Sequence, residues 1–87
     1  MFDFSQSNFD MKVYLYAMLR DYFDHEVWFQ QPVLSVDELK EKLLSKNDSA
    51  RELLESCRFA VNDRFIDNTY IFQTHDIVSI LPPASGG

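Results

Sequence analysis

Apolar and polar residues alternate near both ends of the chain and follow a helical spacing between them. Over residues 12–17, Val13, Leu15 and Ala17 alternate with Lys12, Tyr14 and Tyr16, the period of a half-buried strand. Residues 18–23 predict a helical turn leading out of it. Alternation resumes over 26–30, with Val27 and Phe29 opposite Glu26, Trp28 and Gln30, and the economical arrangement of the two strands is an antiparallel hairpin. Ser35-Val36-Asp37-Glu38 is a capping-box signature, in which a Ser hydroxyl caps the helix and a Glu three residues on reaches back. The helix that follows places Val36, Leu39 and Leu43 on one face, with Leu44 at its margin, and Glu38 can pair with Lys42 on the solvated side. Asn47-Asp48-Ser49 interrupts it, and Ala50, Leu53, Leu54 and Cys57 predict a second helical piece.

The last third reads as strand. Residues 59–61 enter the turn Asn62-Asp63, whose residue types tolerate positive φ, and return through Phe65-Ile66. Residues 70–72 predict a short edge strand. Residues 76–81 predict a central strand by their density of β-branched side chains, and Pro82-Pro83 ends it, because proline has no amide hydrogen for a ladder. The order strand, strand, helix, strands gives a two-layer α+β domain, with the last strand parallel to the first at the centre of a mixed sheet. That is the ubiquitin-like β-grasp arrangement with a crossing helix. The domain spans residues 11–81, and a flexible tail of residues 82–87 follows. Residues 1–10 mix Phe2, Phe4 and Phe9 with polar residues in no period and are expected to be a disordered extension. Met11, which follows at once, is an alternative start.

Composition removes several function classes. Eight basic against fourteen acidic side chains give a net charge of −6, which disfavours nucleic acid and anionic membranes as partners. The longest apolar run, residues 13–19, is far short of the roughly 20 residues of a spanning helix. The first ten residues lack the basic start and apolar stretch of a signal peptide. One cysteine, Cys57, forms no internal disulfide, and a small domain without disulfides is expected in the cytoplasm. His25 and His75 belong to no metal-ligand spacing, so no metal site is expected. Cys57 lies on a helix face that reads as core, and His75 stands beside Asp76 in a turn with no pocket implied. A free-standing enzyme is therefore not expected.

The C-terminus carries the chemistry. At average usage of about 7%, roughly six glycines would be expected in a chain of this length. There are two, Gly86 and Gly87, the last two residues. The segment Leu81-Pro82-Pro83-Ala84-Ser85-Gly86-Gly87 leaves a core strand, stiffens through two prolines and then loses side-chain bulk. Pro82, Pro83, Ala84, Ser85 and Gly86 form an arm able to thread a narrow channel, since a glycine backbone can approach channel walls closely. Gly87 presents an unhindered carboxylate, a poor electrophile until it is activated, commonly as an acyl-adenylate. With Val78 and Ile80 inward, Ile77, Ser79 and Leu81 face the uncovered side of the sheet with some of Tyr14, Tyr16 and Trp28. An apolar face of that kind reads as a partner interface; the competing reading covers it with the N-terminal phenylalanines.

Residues Asp76-Ile77-Val78-Ser79-Ile80-Leu81-Pro82-Pro83-Ala84-Ser85-Gly86-Gly87 resemble the C-terminus of the small subunits of molybdopterin synthase, the MoaD branch of the MoaD/ThiS sulfur carriers. Ala17-Met18-Leu19-Arg20-Asp21 after the first strand and Ala60-Val61-Asn62 entering the hairpin extend the resemblance over residues 11–87. The Pro-Pro pair points to the molybdopterin branch rather than the thiamin one. The resemblance implies a protein substrate rather than an enzyme, with no bound cofactor. An adenylating enzyme of the ubiquitin-activating type would use ATP to adenylate Gly87, and sulfur would replace AMP to leave a thiocarboxylate. The tail would enter the large subunit of molybdopterin synthase and donate sulfur to cyclic pyranopterin monophosphate, in a heterotetramer with one small subunit at each end of a large-subunit dimer. A carrier for thiamin or tRNA thiolation would share the tail chemistry. A ubiquitin-like modifier would end in a lysine isopeptide instead, and a plain interaction module would be indifferent to loss of Gly87. The sequence departs from the resemblance at His75-Asp76, where relatives carry Gly-Asp, and in its extension before Met11.

Overall fold

The computed structural model describes residues 9–83. Strand β1 (Met11–Leu15) buries Met11, Val13 and Leu15 completely and leaves Lys12 and Tyr14 half-buried, the alternation that its sequence prescribes. It ends earlier than the alternation predicts, because Ala17 takes φ 56° and opens a 3-10 turn, Ala17–Asp21. Strand β2 (Glu26–Phe29) returns antiparallel, pairing Lys12 with Trp28 and Val13 with Val27.

Helix α1 (Val36–Lys46) starts at Ser35, whose Oγ accepts from the Glu38 amide at 3.1 Å. The Glu38 carboxylate reaches one residue further back than the signature predicts, accepting from the Leu34 amide at 2.9 Å. A 3-10 turn, Asp48–Ala50, leads into the short helix α2 (Arg51–Glu55). Strands β3 (Arg58–Val61) and β4 (Arg64–Ile66) form a hairpin across Asn62 and Asp63, with φ of 51° and 72°. Two consecutive positive-φ residues twist the hairpin to match its strands, which is why Asn-Asp serves here without glycine. Strand β5 (Ile77–Leu81) lies at the centre of the sheet, whose order is β2-β1-β5-β3-β4. It runs parallel to β1 and antiparallel to β3, the ubiquitin-like β-grasp topology.

Val36, Leu39 and Leu43 of α1 and Leu54 of α2 join Val13, Leu15, Phe59, Val61, Val78 and Ile80 in one core on a single side of the sheet. Each fully buried aliphatic side chain there contributes roughly 1.5–3 kcal/mol, the main stabilising term in a domain without disulfides.

Residues 70–72 are a correction to the sequence reading: they form no strand. The Phe72 amide donates to the Leu34 carbonyl at 2.9 Å, tethering this segment to the loop before α1 rather than to a sheet edge. The buried carboxylate of Asp76 then organises the turn, accepting from the Tyr70 hydroxyl at 2.9 Å and from the Gln73 amide at 2.8 Å. Phe9 packs against the core, and Asp10 is held through its amide by Thr74 Oγ1 at 3.0 Å. Residues 1–8 of the expected extension, Phe2 and Phe4 among them, lie outside the described residues.

Candidate functional site

The helices cover one face of the sheet and leave the other open. On β5 the alternation places Ile77, Ser79 and Leu81 on that open face, while Val78 and Ile80 are fully buried on the other. Register then fixes their neighbours. Lys12 lies beside Ile77, Tyr14 beside Ser79, Ala60 on the far side of Ser79, and Arg58 beside Leu81. Phe65 continues the row beyond Ala60, and Trp28 lies beyond Lys12.

The centre of the face is low and its flanks are aromatic. Ala60 and Ser79 contribute little side-chain bulk. On one flank the His25 ring packs against both Tyr14 and Tyr16, with centroids 5.4 and 5.3 Å apart. His25 Nδ1 donates to the Leu15 carbonyl at 2.9 Å, which fixes the ring's orientation. Trp28 is about half exposed, and its indole donates to Glu26 Oε2 at 2.6 Å. On the other flank Phe65 is 60% exposed, and the Arg58 guanidinium lies 4.0 Å from its ring centroid. Exposed aromatic rings around a small-residue floor are the composition of a protein interface rather than of a small-molecule pocket.

The tail follows directly from β5. Leu81 is the last residue of β5, Pro82 is half-buried and Pro83 is exposed. Strand β5 is hydrogen-bonded on both sides, to β1 and to β3, so the tail starts from a constrained backbone. Ala84, Ser85, Gly86 and Gly87, which the sequence reading makes the carrier arm, lie outside the described residues.

The other candidates for chemistry do not assemble a site. Burial pushes the Cys57 thiol up to about 11, Lys40 offsetting this only in part, and Sγ donates to the Leu53 carbonyl at 3.1 Å. A thiol held in that form is not a nucleophile near neutral pH. His75 pairs with Asp10 on the surface. No group of three or more His, Cys, Asp or Glu residues that could hold a metal occurs among the described residues. A depression of about 610 Å³ beside β2, lined by Arg20, Asp21, Asp24 and Lys46 among others, brings exposed charges together but no nucleophile with a base. No helix among the described residues is long and apolar enough to cross a membrane.

Several contributors to the open face escaped the sequence reading, His25, Arg58 and Phe65 among them. Arg58 and Phe65 precede and follow the hairpin turn, and only the two-residue turn geometry puts them side by side. His25 stands just before β2 in a loop with no periodic signal.

A model of the ThiS family matches residues 13–87 of the chain. No curated protein matches the sequence. Among solved structures the chain is similar to a Pyrococcus furiosus protein assigned as molybdopterin converting factor, subunit 1, with a TM-score of 0.75 and 21% identity over 87% of this chain and 99% of that one. It is similar to SAMP1 from Haloferax volcanii, with a TM-score of 0.75 and 16% identity over 90% of this chain and 99% of that one. A complex of subunits 1 and 2 of the molybdopterin-converting factor from Helicobacter pylori contains a chain with a TM-score of 0.65 and 25% identity, over 90% of this chain and 99% of that one. At identities this low, the first two show a shared fold.

Proposed function

The chain belongs to the ThiS family, small β-grasp sulfur carriers, and from that premise we propose that it supplies sulfur for molybdenum cofactor biosynthesis. Gly87 is the reacting residue. Its carboxylate attacks the α-phosphate of ATP in an adenylating enzyme of the ubiquitin-activating type, releasing pyrophosphate. A sulfur nucleophile then displaces AMP, leaving a thiocarboxylate. The arm formed by Pro82, Pro83, Ala84, Ser85 and Gly86 carries this nucleophile into the large subunit of molybdopterin synthase, where it attacks cyclic pyranopterin monophosphate. Water then cleaves the acyl–sulfur bond, leaving the sulfur on the pterin and returning the Gly87 carboxylate, so the chain is a recyclable substrate, and the side chains that catalyse transfer belong to its partners. The Ile77, Ser79 and Leu81 face docks the domain so that the arm points into the large subunit.

One observation carries this reading: the arm is the direct continuation of the central strand β5, and the family match runs on through Gly87. A rigid base and a slim end are what delivery of one atom into a buried site requires. The Helicobacter pylori complex of subunits 1 and 2 supports a large-subunit partner. A second reading, a ubiquitin-like modifier, draws on the likeness to SAMP1, which is one of fold alone at 16% identity.

Intact mass tests the first step. The full chain and a Gly87 deletion are incubated with ATP, an adenylating enzyme and a sulfur donor. A gain equal to the sulfur-for-oxygen difference, absent from the deletion, is expected. No gain with an adenylating enzyme active on a control carrier would overturn sulfur carriage. Formation of the dithiolene with the large subunit and cyclic pyranopterin monophosphate then separates this pathway from thiamin and tRNA thiolation, and lysine conjugates on a denaturing gel would identify a modifier.

A further inference from the structure

The open face differs in charge from the rest of the molecule. The chain carries fourteen carboxylates against eight Lys and Arg. At the outward positions of the five strands this balance reverses: Lys12 and Arg58 are cationic and only Glu26 is anionic. The helical layer behind keeps the acidic excess, with six carboxylates (Asp37, Glu38, Glu41, Asp48, Glu52, Glu55) against four cations.

Both cations on the open face are held by rings rather than by carboxylates. Lys12 Nζ lies 5.2 Å from the Tyr14 centroid and 5.1 Å from the Trp28 ring, and it donates to Tyr14 Oη at 3.1 Å. That hydrogen bond, with a smaller contribution from Glu26, raises the Lys12 pKa and keeps the ammonium charged. The Arg58 guanidinium lies 4.0 Å from the Phe65 ring centroid. An aromatic ring fixes a cation in place and leaves its net charge available, where a carboxylate would cancel it. Among the described residues neither cation forms an ion pair, and the nearby carboxylate of Glu26 is engaged by the Trp28 indole.

Their placement is diagonal. Lys12 flanks Ile77 at one end of β5, and Arg58 flanks Leu81 at the other end, on the opposite side of the strand. Strand rise and spacing put their Cα atoms about 16 Å apart. Between them lies the apolar, small-residue centre of the face.

We propose that the surface docking on this face is acidic at two points, with carboxylates set against Lys12 and Arg58 around an apolar centre that covers Ile77, Ser79 and Leu81. This rests on the reading that the partner is the large subunit of molybdopterin synthase. Pre-positioned cations lose little side-chain freedom on binding. Two charges on a diagonal fix the rotation of one surface on the other, which an apolar patch alone does not. The acidic helical layer repels the same acidic surface, so encounter is steered to the correct face.

The test is binding of the full chain to the purified large subunit, by titration calorimetry and stopped flow at low and high salt. Lys12→Met and Arg58→Met remove charge while keeping apolar bulk, and Lys12→Gln and Arg58→Gln form a second pair should either Met variant melt early. Each single change is expected to lower affinity about three- to tenfold, mainly through the association rate, and the double variant to lose most of the salt dependence. Leu81→Asn reports independently on use of the face. Weaker binding of Leu81→Asn beside unchanged affinity and salt slope in both charge variants would overturn the acidic complement and leave the partner reading intact. Failure of the unaltered chain to bind the large subunit would overturn the partner reading and the proposal with it. Dimerisation of the isolated chain in sedimentation, lost in Leu81→Asn, would assign the face to a second copy and overturn the proposal.

Discussion

His75 binds Asp10 twice: its amide donates to the Asp10 carbonyl at 2.6 Å, and its Nδ1 donates to the Asp10 carboxylate at 2.9 Å. This clasp joins the residues before β1 to the turn before β5, the two strands that run parallel at the sheet centre. His75 sits at φ 71°, a conformation that costs a non-glycine residue about 1–2 kcal/mol. The side chains are 69% and 39% exposed, and an ion pair in such a place contributes about 0–1 kcal/mol. His75→Gly is therefore expected to be neutral or to stabilise by about 1 kcal/mol, because the backbone bond to Asp10 survives and the strain is relieved. His75→Ala keeps the strain and loses the pair, so it should be the less stable of the two. Urea unfolding midpoints decide the order: a glycine variant less stable than alanine would show that the added chain entropy of an unfolded glycine outweighs the strain it relieves, and one less stable than the unaltered chain would show that the imidazole contributes more than the strain costs.

Ala17 meets the same backbone demand with no compensating contact from its side chain. It takes φ 56° where β1 gives way to the 3-10 turn. Ala17→Gly is expected to stabilise the fold by about 1 kcal/mol, the left-handed penalty less the extra entropy of an unfolded glycine. An unchanged or lower midpoint in thermal unfolding would contradict this.

Asp76 is the one charged residue buried among those described, and Tyr70 is one of its two donors. Burial, and then the bond to Asp76, raise the Tyr70 pKa above the ordinary tyrosine value. A group whose pKa is higher folded than unfolded contributes its stability fully below the unfolded value, near 10, and loses it as pH rises through the folded value. Stability should thus be level up to about pH 10 in this respect and decline beyond it. Tyr70→Phe should flatten that decline and lower stability at neutral pH by about 1 kcal/mol. Asp76→Ala, which leaves two donors without their acceptor, should cost about 1–3 kcal/mol.

These tethers mark the limit of what the sequence discloses. Alternation located β1, β2 and β5 because one face of each is buried and the period is two, and Asn62-Asp63 announced a tight hairpin because few residues tolerate consecutive positive φ. Ser35 and Glu38 announced the helix start by their spacing. The segment containing Tyr70, Ile71 and Phe72 has strand composition, yet its partners are Leu34 and Asp76, distant contacts that no local pattern encodes. Phe9 and Asp10 read as part of an extension for the same reason, since their partners lie in the core and at Thr74 and His75. On the open face, the inward and outward sets of β5 were legible from period alone. The pairing of Arg58 with Phe65 was not, because it depends on hairpin register.

Cys57 gives a control that separates the two nucleophiles of the carrier reading. Its pKa rises from 9.0 to about 11 through burial, which leaves about a hundredfold less thiolate at neutral pH than an ordinary cysteine has. Alkylation by iodoacetamide at pH 8 should be slower than that of a peptide thiol by a similar factor, and should accelerate steeply above pH 10. Cys57→Ala is expected to gain sulfur in the mass assay as the unaltered chain does. A Cys57→Ala protein that no longer gains sulfur would place a thiol step inside this domain and displace Gly87 from its proposed role.

Leu81 stands where the docking face meets the arm, half-buried and directly across from Arg58. Leu81→Asp therefore makes two changes at once: it removes an apolar contact and sets a carboxylate where it can neutralise Arg58. Leu81→Asn makes only the first. Both should fold, because the position faces away from the core. Both should bind the large subunit more weakly, Leu81→Asp by tenfold or more, since a buried apolar anchor at an interface commonly contributes more than 1 kcal/mol. The difference between the two measures what Arg58 contributes, and it should shrink when Arg58 is already methionine. Under the proposed function, adenylation and sulfur transfer onto Gly87 take place on a different partner, and they supply a further comparison. If Leu81→Asn impairs synthase binding but leaves the mass gain intact, the face serves the large subunit specifically. If both fall together, the adenylating enzyme and the large subunit use one face in turn, and the carrier must leave the first to reach the second.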